Sequence, residues 1–257
     1  MAEMKKTVID LFERPYEVKL RNTDVLPGSG YRALDETHPY FEALGLYDMT
    51  SPQALNTFCD QLDASPNQRE IMLKYAEAID GLAKDLARRL AESYGVVETE
   101  FYKGWPRRLR INKFHFQPDA IGKICAQSHT DYWFLTILQD DENVGGLEAM
   151  DNSSGNFFPI IPSPNTFSII LGDMATIWSN GRLRNAKHRV KCNEATKRYS
   201  IASFLLGPMD TNLEPPSELV DADHPRLYKP ISHEGVVNIR VTMKLHNGEG
   251  LKLIAYE

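Results

Sequence analysis

The sequence predicts an α+β protein that is mainly β, with a double-stranded β-helix (jelly-roll, cupin-like) core and an N-terminal helical region. Helical periodicity dominates the first hundred residues, whereas short β-favouring runs separated by turn formers dominate the remainder. Many short strands without intervening helices indicate a sandwich or barrel, the class that includes the jelly roll. We therefore expect a helical region at 1–100 that packs on the core, the β-helix core at 101–212 and a C-terminal extension at 213–257.

Two helices are predicted in the first region. Apolar residues recur every three or four positions over residues 1 to about 21, which predicts one helix. A longer helix is predicted at 66–94, because Ser65 is a good N-cap, Pro66 suits the first helical position and Gly95 suits the position after the helix. One apolar stripe should pack this helix on the core: Ile71, Tyr75, Ile79, Leu82, Leu86 and Leu90.

After about Phe101 the helical spacing of apolar residues gives way to short β-favouring runs. Strands are expected at LRINKFHF, WFLTILQ, GGLEAM, FFPIIP, TFSIIL, ATIW, KHRVKC and YSIASFLL, with turns between them at sites such as 151–155 and 179–181. The tail from about Asn212 begins Pro-rich and then shows one more amphipathic stretch near 234–247.

Composition limits the functional class. The formal net charge of −6 argues against a nucleic-acid partner, because phosphate binding requires a clustered basic surface. The short run Arg107, Arg108 and Arg110 is expected to be an exposed strand face. Three well-separated cysteines without a CxxC motif fit free thiols in a reducing compartment. The start has no signal peptide and no stretch approaches a membrane span, so we expect a cytoplasmic protein without a membrane partner.

Three residues could form a metal site. His129 and Asp131 are two positions apart, so in a strand both would point to one face and could bind the same metal. The pair alone is weak evidence, because an exposed turn is the commoner explanation. His188 lies on another predicted strand, although a lone histidine is more often a partly buried polar residue. Two histidines and one carboxylate form the facial triad of non-haem iron(II) oxygenases, which leaves three coordination positions open.

A second group of residues could bind an anion. Arg198 and Ser200 open the predicted strand YSIASFLL and share one of its faces. A guanidinium and a hydroxyl there could bind a carboxylate through charge-assisted hydrogen bonds. An arginine at a strand start is otherwise usually a surface residue.

These motifs in this order resemble the plant 2-oxoglutarate- and iron(II)-dependent dioxygenases over nearly the whole chain. The resemblance rests on SHTD, GGLEAMD, LGDMATIWSNG, KHRV and RYSIASFL. Within that family the chain looks most like the group called dioxygenase for auxin oxidation, through GLYDM, QLDASPNQRE and LQDDENVGGLEAMD.

The resemblance implies an oxidoreductase that uses Fe(II), 2-oxoglutarate and O2, with ascorbate supporting activity. It implies a small-molecule substrate, most simply indole-3-acetic acid, which that group oxidises to 2-oxindole-3-acetic acid. The implied site residues are His129, Asp131 and His188 for the metal and Arg198, Ser200 and Asn112 for 2-oxoglutarate. An acidic substrate would need a further cation, for which the sequence offers Arg107, Arg108, Arg110, Arg182 and Arg184.

The chain departs from the family pattern at three places. Phe114 stands where the N-x-Tyr motif has tyrosine, and Tyr132 and Trp133 stand where relatives carry Ser-Gly. We expect these three aromatic residues to line the substrate pocket. The chain also begins after an N-terminal segment that relatives carry, so an uncovered sheet edge is expected.

Three alternatives remain open at this stage. The chain could be a degenerate paralogue with little activity, or a related dioxygenase that acts on another specialised metabolite. It could also be a cupin-type binding module, because the same ligand set accepts zinc, cobalt, nickel or manganese. The oligomeric state is not indicated by the sequence.

Overall fold

The structure is a computed structural model that describes residues 1–25 and 29–256. The helices are α1 (Ala2–Phe12), α2 (Tyr16–Lys19), α3 (Pro52–Gln61), α4 (Pro66–Ser93), α5 (Asp173–Trp178) and α6 (His233–Val241), with short 3-10 turns at Pro118–Ala120, Ser217–Leu219 and Glu249–Leu253. The strands are β1 (Phe41–Leu46), β2 (Arg107–His115), β3 (Ile124–His129), β4 (Leu135–Gln139), β5 (Leu147–Met150), β6 (Phe157–Pro159), β7 (Ser168–Leu171), β8 (His188–Lys191) and β9 (Lys197–Leu205).

The strands form two antiparallel sheets, in agreement with the predicted jelly-roll class. The five-stranded sheet has the order β1-β2-β9-β4-β7, and the four-stranded sheet has the order β3-β8-β5-β6. One large hydrophobic core joins the five-stranded sheet to the N-terminal helices, and smaller clusters join the two sheets. No helix in the described part of the chain is long and apolar enough to cross a membrane.

Helix α4 begins and ends where the sequence predicts. The Ser65 hydroxyl accepts from the Gln68 backbone N–H, and the Gln68 side chain accepts from the Ser65 N–H, which completes a capping box. Gly95 follows with a φ of 70°, the left-handed conformation that favours glycine. The buried stripe is rotated from the predicted one, because small residues allow the closest approach to the core: Ala76, Ala83, Ala87 and Ala91.

Two other expectations for the N-terminal region are corrected. The single helix predicted to residue 21 is two helices, since Pro15 lacks an N–H and disfavours helix in the residue before it. The region is also not wholly helical. Strand β1 pairs with β2 from Phe41 opposite Phe114 to Leu46 opposite Leu109, so it extends the five-stranded sheet.

The strand predicted at ATIW is wrong, because these residues belong to helix α5. The helix starts after Gly172, and Met174 through Trp178 are all buried. A short run that is buried on every side shows no period, so the sequence cannot distinguish a strand from a single helical turn or two.

The inner face of the five-stranded sheet, which faces the four-stranded sheet, carries polar side chains. Residues alternate along β2, and those on this face are Arg108, Arg110, Asn112 and Phe114. Phe114 packs in one cluster with Cys125 and Val190 of the smaller sheet, which identifies the face as inner. Arg198 and Ser200 of β9 lie opposite Phe114 and Asn112 and share this face.

The exposed basic face expected on β2 is therefore wrong. Arg107 is buried on the opposite face, where its Nε lies 3.1 Å from Oδ1 of Asp80 in α4. Arg108 and Arg110 are half-buried on the inner face. The four-stranded sheet covers the inner face. Both faces of β2 therefore lie in the interior, although cationic and apolar residues alternate along the strand.

Candidate metal and 2-oxoglutarate site

The structure brings His129, Asp131 and His188 together. His129 ends β3 and lies opposite His188 at the start of β8. Oδ1 of Asp131 is 3.8 Å from Nε2 of His129 and 3.9 Å from Nε2 of His188, and the ligand atoms of the three residues all lie within 4.8 Å of one another. Asp131 lies just beyond the strand, so the expectation that a strand holds both members of HxD is corrected. Their role as iron ligands stays a prediction.

Hydrogen bonds orient each of the three side chains. Nδ1 of His129 lies 2.7 Å from the Gln127 carbonyl, and Nδ1 of His188 lies 3.0 Å from the Ala186 carbonyl. Each Nδ1–H donates to a carbonyl, which leaves Nε2 of both rings with a free lone pair for a metal. The Thr136 hydroxyl donates to Oδ2 of Asp131 over 2.5 Å, so Oδ1 is left to face the histidines.

The charge states suit a divalent cation. Burial, followed by repulsion from His188, lowers the pKa of His129 to about 4, so its ring is neutral at pH 7. Burial would raise the pKa of Asp131, but His188, His129 and the Thr136 hydrogen bond outweigh it and hold this pKa below its ordinary value. The cluster thus offers two imidazoles and one carboxylate, the donor set preferred by non-haem iron(II).

Hydrogen bonds from two later segments fix the loop that carries Asp131. The Asp173 N–H at the start of α5 donates to the Asp131 carbonyl over 2.8 Å. Arg240 of α6 donates to the Thr130 and His246 carbonyls, both over 2.6 Å. The C-terminal extension is therefore part of the support of the metal site.

Gly172→Ala should disturb this loop. A Cβ at Gly172 would lie 2.0 Å from the Trp133 carbonyl oxygen and 2.6 Å from the Asp131 carbonyl oxygen, so the backbone would have to move. We expect a loss of about 1–3 kcal/mol of unfolding free energy and weaker metal binding, measured by thermal unfolding and metal titration. Gly81→Ala is the matched control, because nothing lies within 4 Å of its added Cβ in α4. Equal metal affinity in the Gly172 and Gly81 variants would contradict the role of this contact.

The predicted anion-binding residues also lie together on the inner face. Arg198 is only 1 % exposed and forms an ion pair with Asp140. Its Nε and Nη1 are buried without a hydrogen-bond partner. Nδ2 of Asn112 donates to Oγ of Ser200 over 3.3 Å. Two unsatisfied nitrogens on one buried guanidinium are the fit expected for a carboxylate ligand, because buried polar groups are otherwise paired.

Phe114 packs beside this anion site. Its ring centroid lies 4.9 Å from the Arg198 guanidinium and 5.3 Å from the ring of Phe41. The ring cannot donate the hydrogen bond of a tyrosine, but it supports the guanidinium through a cation–π contact. Its predicted place in the substrate pocket stays a prediction.

The aromatic pair after Asp131 divides between two environments. Trp133 is 3 % exposed and stacks on His233 of α6, with centroids 5.6 Å apart. Tyr132 lies beside the guanidiniums of Arg108 and Arg240, which oppose the rise in its pKa that burial causes. Tyr132 is thus the member of the pair that meets charged groups of the interior.

A cavity of about 760 Å³ adjoins His129 of the metal cluster. Arg32, His38 and Phe41 from the N-terminal region line one side, and Ser128 and His129 line another. The His129 side chain is 31 % exposed, so a ligand in the cavity could reach the metal position. The volume falls within the usual range for small-molecule sites of ~300–1,000 Å³.

Sequence reasoning missed Asp140, Thr136 and Arg240. Asp140 belongs to QDDEN, which indicates only a polar turn, and Thr136 is one of many β-branched strand residues. Arg240 acts across 110 positions of sequence, and no local pattern reports such a contact.

The fold and these side chains match a known family of enzymes. Residues 106–207 match the family model of the 2OG-Fe(II) oxygenase superfamily. The chain is 43 % identical over 254 residues to the 2-oxoglutarate-dependent dioxygenase DAO of Oryza sativa subsp. indica, across 99 % of this chain and 84 % of that protein. The chain therefore belongs to the 2-oxoglutarate- and Fe(II)-dependent oxygenases. It is an oxidoreductase with a double-stranded β-helix fold that uses Fe(II), 2-oxoglutarate and O2, as predicted.

Solved structures narrow the similarity further. The dioxygenase for auxin oxidation 1 of Arabidopsis thaliana, in its binary complex with 2-oxoglutarate, aligns with 77 % identity and a TM-score of 0.86 over 88 % of this chain and 85 % of that one. The rice dioxygenase for auxin oxidation aligns with 42 % identity and a TM-score of 0.91 over 99 % of this chain and 85 % of that one. The predicted resemblance to this group is confirmed.

Proposed function

We propose that this protein oxidises indole-3-acetic acid to 2-oxindole-3-acetic acid. The observation that carries the proposal is the pairing of a two-histidine, one-carboxylate cluster with a buried, partly unsatisfied arginine, in a chain 77 % identical to a dioxygenase for auxin oxidation. The adjoining cavity is large enough for an indole ring, and its aromatic and cationic lining suits an aromatic acid.

In this proposal His129, Asp131 and His188 bind Fe(II) through Nε2, Oδ1 and Nε2. Arg198 binds the distal carboxylate of 2-oxoglutarate through Nε and Nη1, with Ser200 as its neighbour. When bound there, the metal supplies the chemistry by which O2 oxidises 2-oxoglutarate to succinate and CO2 while one oxygen atom passes to the substrate.

The side chains of the protein place the reactants. Asn112 holds Ser200 in position, and Phe114 supports the plane of the Arg198 guanidinium. Tyr132 packs against the core next to Asp131 and excludes water from that side of the site. We further propose a cytoplasmic location, supported by free, buried thiols at Cys59, Cys125 and Cys192.

The test is turnover of indole-3-acetic acid by the purified protein with Fe(II), ascorbate and 2-oxoglutarate. We expect succinate release coupled to a product that has gained one oxygen atom, at roughly 1 s⁻¹ or faster. The control is His188→Ala, which removes one predicted metal ligand. Succinate release no greater than in this control would favour a degenerate paralogue. Release that depends on a different metabolite would favour the related-dioxygenase alternative.

A further inference from the structure

Two arginines on the inner face lie outside the site described above. Arg110 is two residues before Asn112 on β2, and Arg108 is two residues before Arg110. At about 3.4 Å per residue they lie roughly 7 and 14 Å along the strand from Asn112, away from Arg198. They therefore form a second cationic group at the other end of the same interior surface.

Neither arginine forms a close ion pair within the part of the chain that the structure describes. Among the residues that the structure describes, no carboxylate lies within ion-pair distance of Arg108 or Arg110, whereas Arg107 on the opposite face pairs with Asp80. Nε of Arg108 is buried without a hydrogen-bond partner. Arg110 donates only to the Ser29 and Gly30 carbonyls, over 3.3 and 3.4 Å. Buried arginines are normally paired, so this group is incomplete without an anion.

Burial and the neighbouring guanidiniums both disfavour the positive charge of Arg110. Burial, followed by repulsion from Arg108 and Arg32, lowers the pKa of Arg110 to about 9. Asp24 opposes this shift but acts from beyond ion-pair distance, and its own carboxylate accepts from the Tyr47 N–H over 3.1 Å. Three guanidiniums thus share one interior region, and the charge of Asp24 opposes the lowering of the Arg110 pKa without cancelling it.

The position of this group relates it to the substrate. Arg108 lies beside the hydroxyl of Tyr132, the residue after Asp131. Arg32 lines the same cavity as His129. Arg32 also lies close enough to Arg110 to lower the pKa of its guanidinium, so it connects this group to the cavity that borders the metal cluster.

We propose that Arg108 and Arg110 bind the carboxylate of the aromatic-acid substrate and so determine the specificity for an acid. This inference rests on the proposed function and assigns the residues that recognise its substrate. Arginine suits the role because its planar fork binds a carboxylate through two parallel hydrogen bonds. The inner face then carries two anion sites. Arg198 binds 2-oxoglutarate, and the Arg108 and Arg110 pair binds the carboxylate of the substrate.

The test compares an acid with its neutral isostere. Anaerobic protein loaded with Fe(II) and 2-oxoglutarate is titrated with indole-3-acetic acid and with indole-3-acetamide, by calorimetry, and KM and kcat are measured aerobically. We expect the wild type to favour the acid, and Arg108→Met and Arg110→Met each to weaken binding of the acid at least tenfold with little change for the amide. The 2-oxoglutarate affinity should be unchanged, and Arg110→Lys should retain part of the preference.

Arg184→Met is the matched control, because this exposed arginine lies outside the interior and should keep the full preference. Variants of Arg108 and Arg110 that bind 2-oxoglutarate normally and still prefer the acid as strongly as the wild type would overturn the inference while leaving the proposed function intact. A wild type that binds 2-oxoglutarate but neither indole would refute the proposed function, and the inference with it.

Discussion

Asp131→Ala is expected to abolish metal binding and turnover. The Asp131 carboxylate is the anionic member of the cluster, with Oδ1 3.8 and 3.9 Å from the two histidine Nε2 atoms. Without it, two imidazoles remain to hold a divalent cation in a mostly buried site. Loss of an outer partner alone costs ten- to a hundredfold in metal affinity. We therefore expect a loss of more than about a hundredfold, measured by anaerobic metal titration, with succinate release falling to background.

Two variants show whether charge or folding causes the effect. Asp131→Asn keeps the shape of the side chain and a group that can accept from Thr136, so it removes mainly the charge. It should fold as the wild type does and still bind metal poorly. Asp223→Ala, at an exposed carboxylate, should change neither quantity. Metal affinity and succinate release that stay at wild-type values in Asp131→Ala would exclude the cluster as the iron site.

The sequence could predict that the proposed metal and anion residues lie together, because their signals are local. HxD, a second histidine and R-x-S each lie in short β-rich runs, and the alternation of a strand states which residues share a face. The structure places His129, Asp131 and His188 within one cluster and Arg198 beside Ser200 on one face. The detail that failed was the end of β3, since Asp131 lies in the loop that follows it.

The inner arginines could not be predicted for the opposite reason. Along β2, Arg108 and Arg110 alternate with Leu109 and Ile111, which is the pattern of a strand with one exposed face. Their burial depends on residues distant in sequence, because Arg110 donates to the Ser29 and Gly30 carbonyls and Arg108 lies beside Tyr132. The role of Arg240 could not be predicted either, because its acceptor, the Thr130 carbonyl, lies 110 positions earlier in the sequence. Packing between segments distant in sequence thus buries residues that the local pattern predicts to be exposed.

Arg198→Met should raise the KM for 2-oxoglutarate by about ten- to a hundredfold, because a charge-assisted pair of hydrogen bonds contributes roughly 1.5–3 kcal/mol. The same change leaves Asp140 buried without its partner, which typically costs about 3–5 kcal/mol of stability. Burial already raises the pKa of Asp140 despite the opposing charge of Arg198, so removal of the guanidinium favours the protonated acid further. Loss of activity alone would therefore mix weaker binding with poorer folding.

A double variant separates the two effects. Arg198→Met with Asp140→Leu removes both charges, so it should recover much of the stability, measured by thermal unfolding, without recovering the affinity for 2-oxoglutarate. Asp140→Asn alone keeps a polar neighbour for Arg198 and removes an anion that competes for its guanidinium, so it should not raise the KM. A double variant that is as stable as the wild type and binds 2-oxoglutarate equally well would show that the unsatisfied nitrogens of Arg198 serve another ligand. Because the metal cluster does not touch this pair, metal affinity in all three variants should stay at the wild-type value, which distinguishes a lost co-substrate site from a collapsed interior.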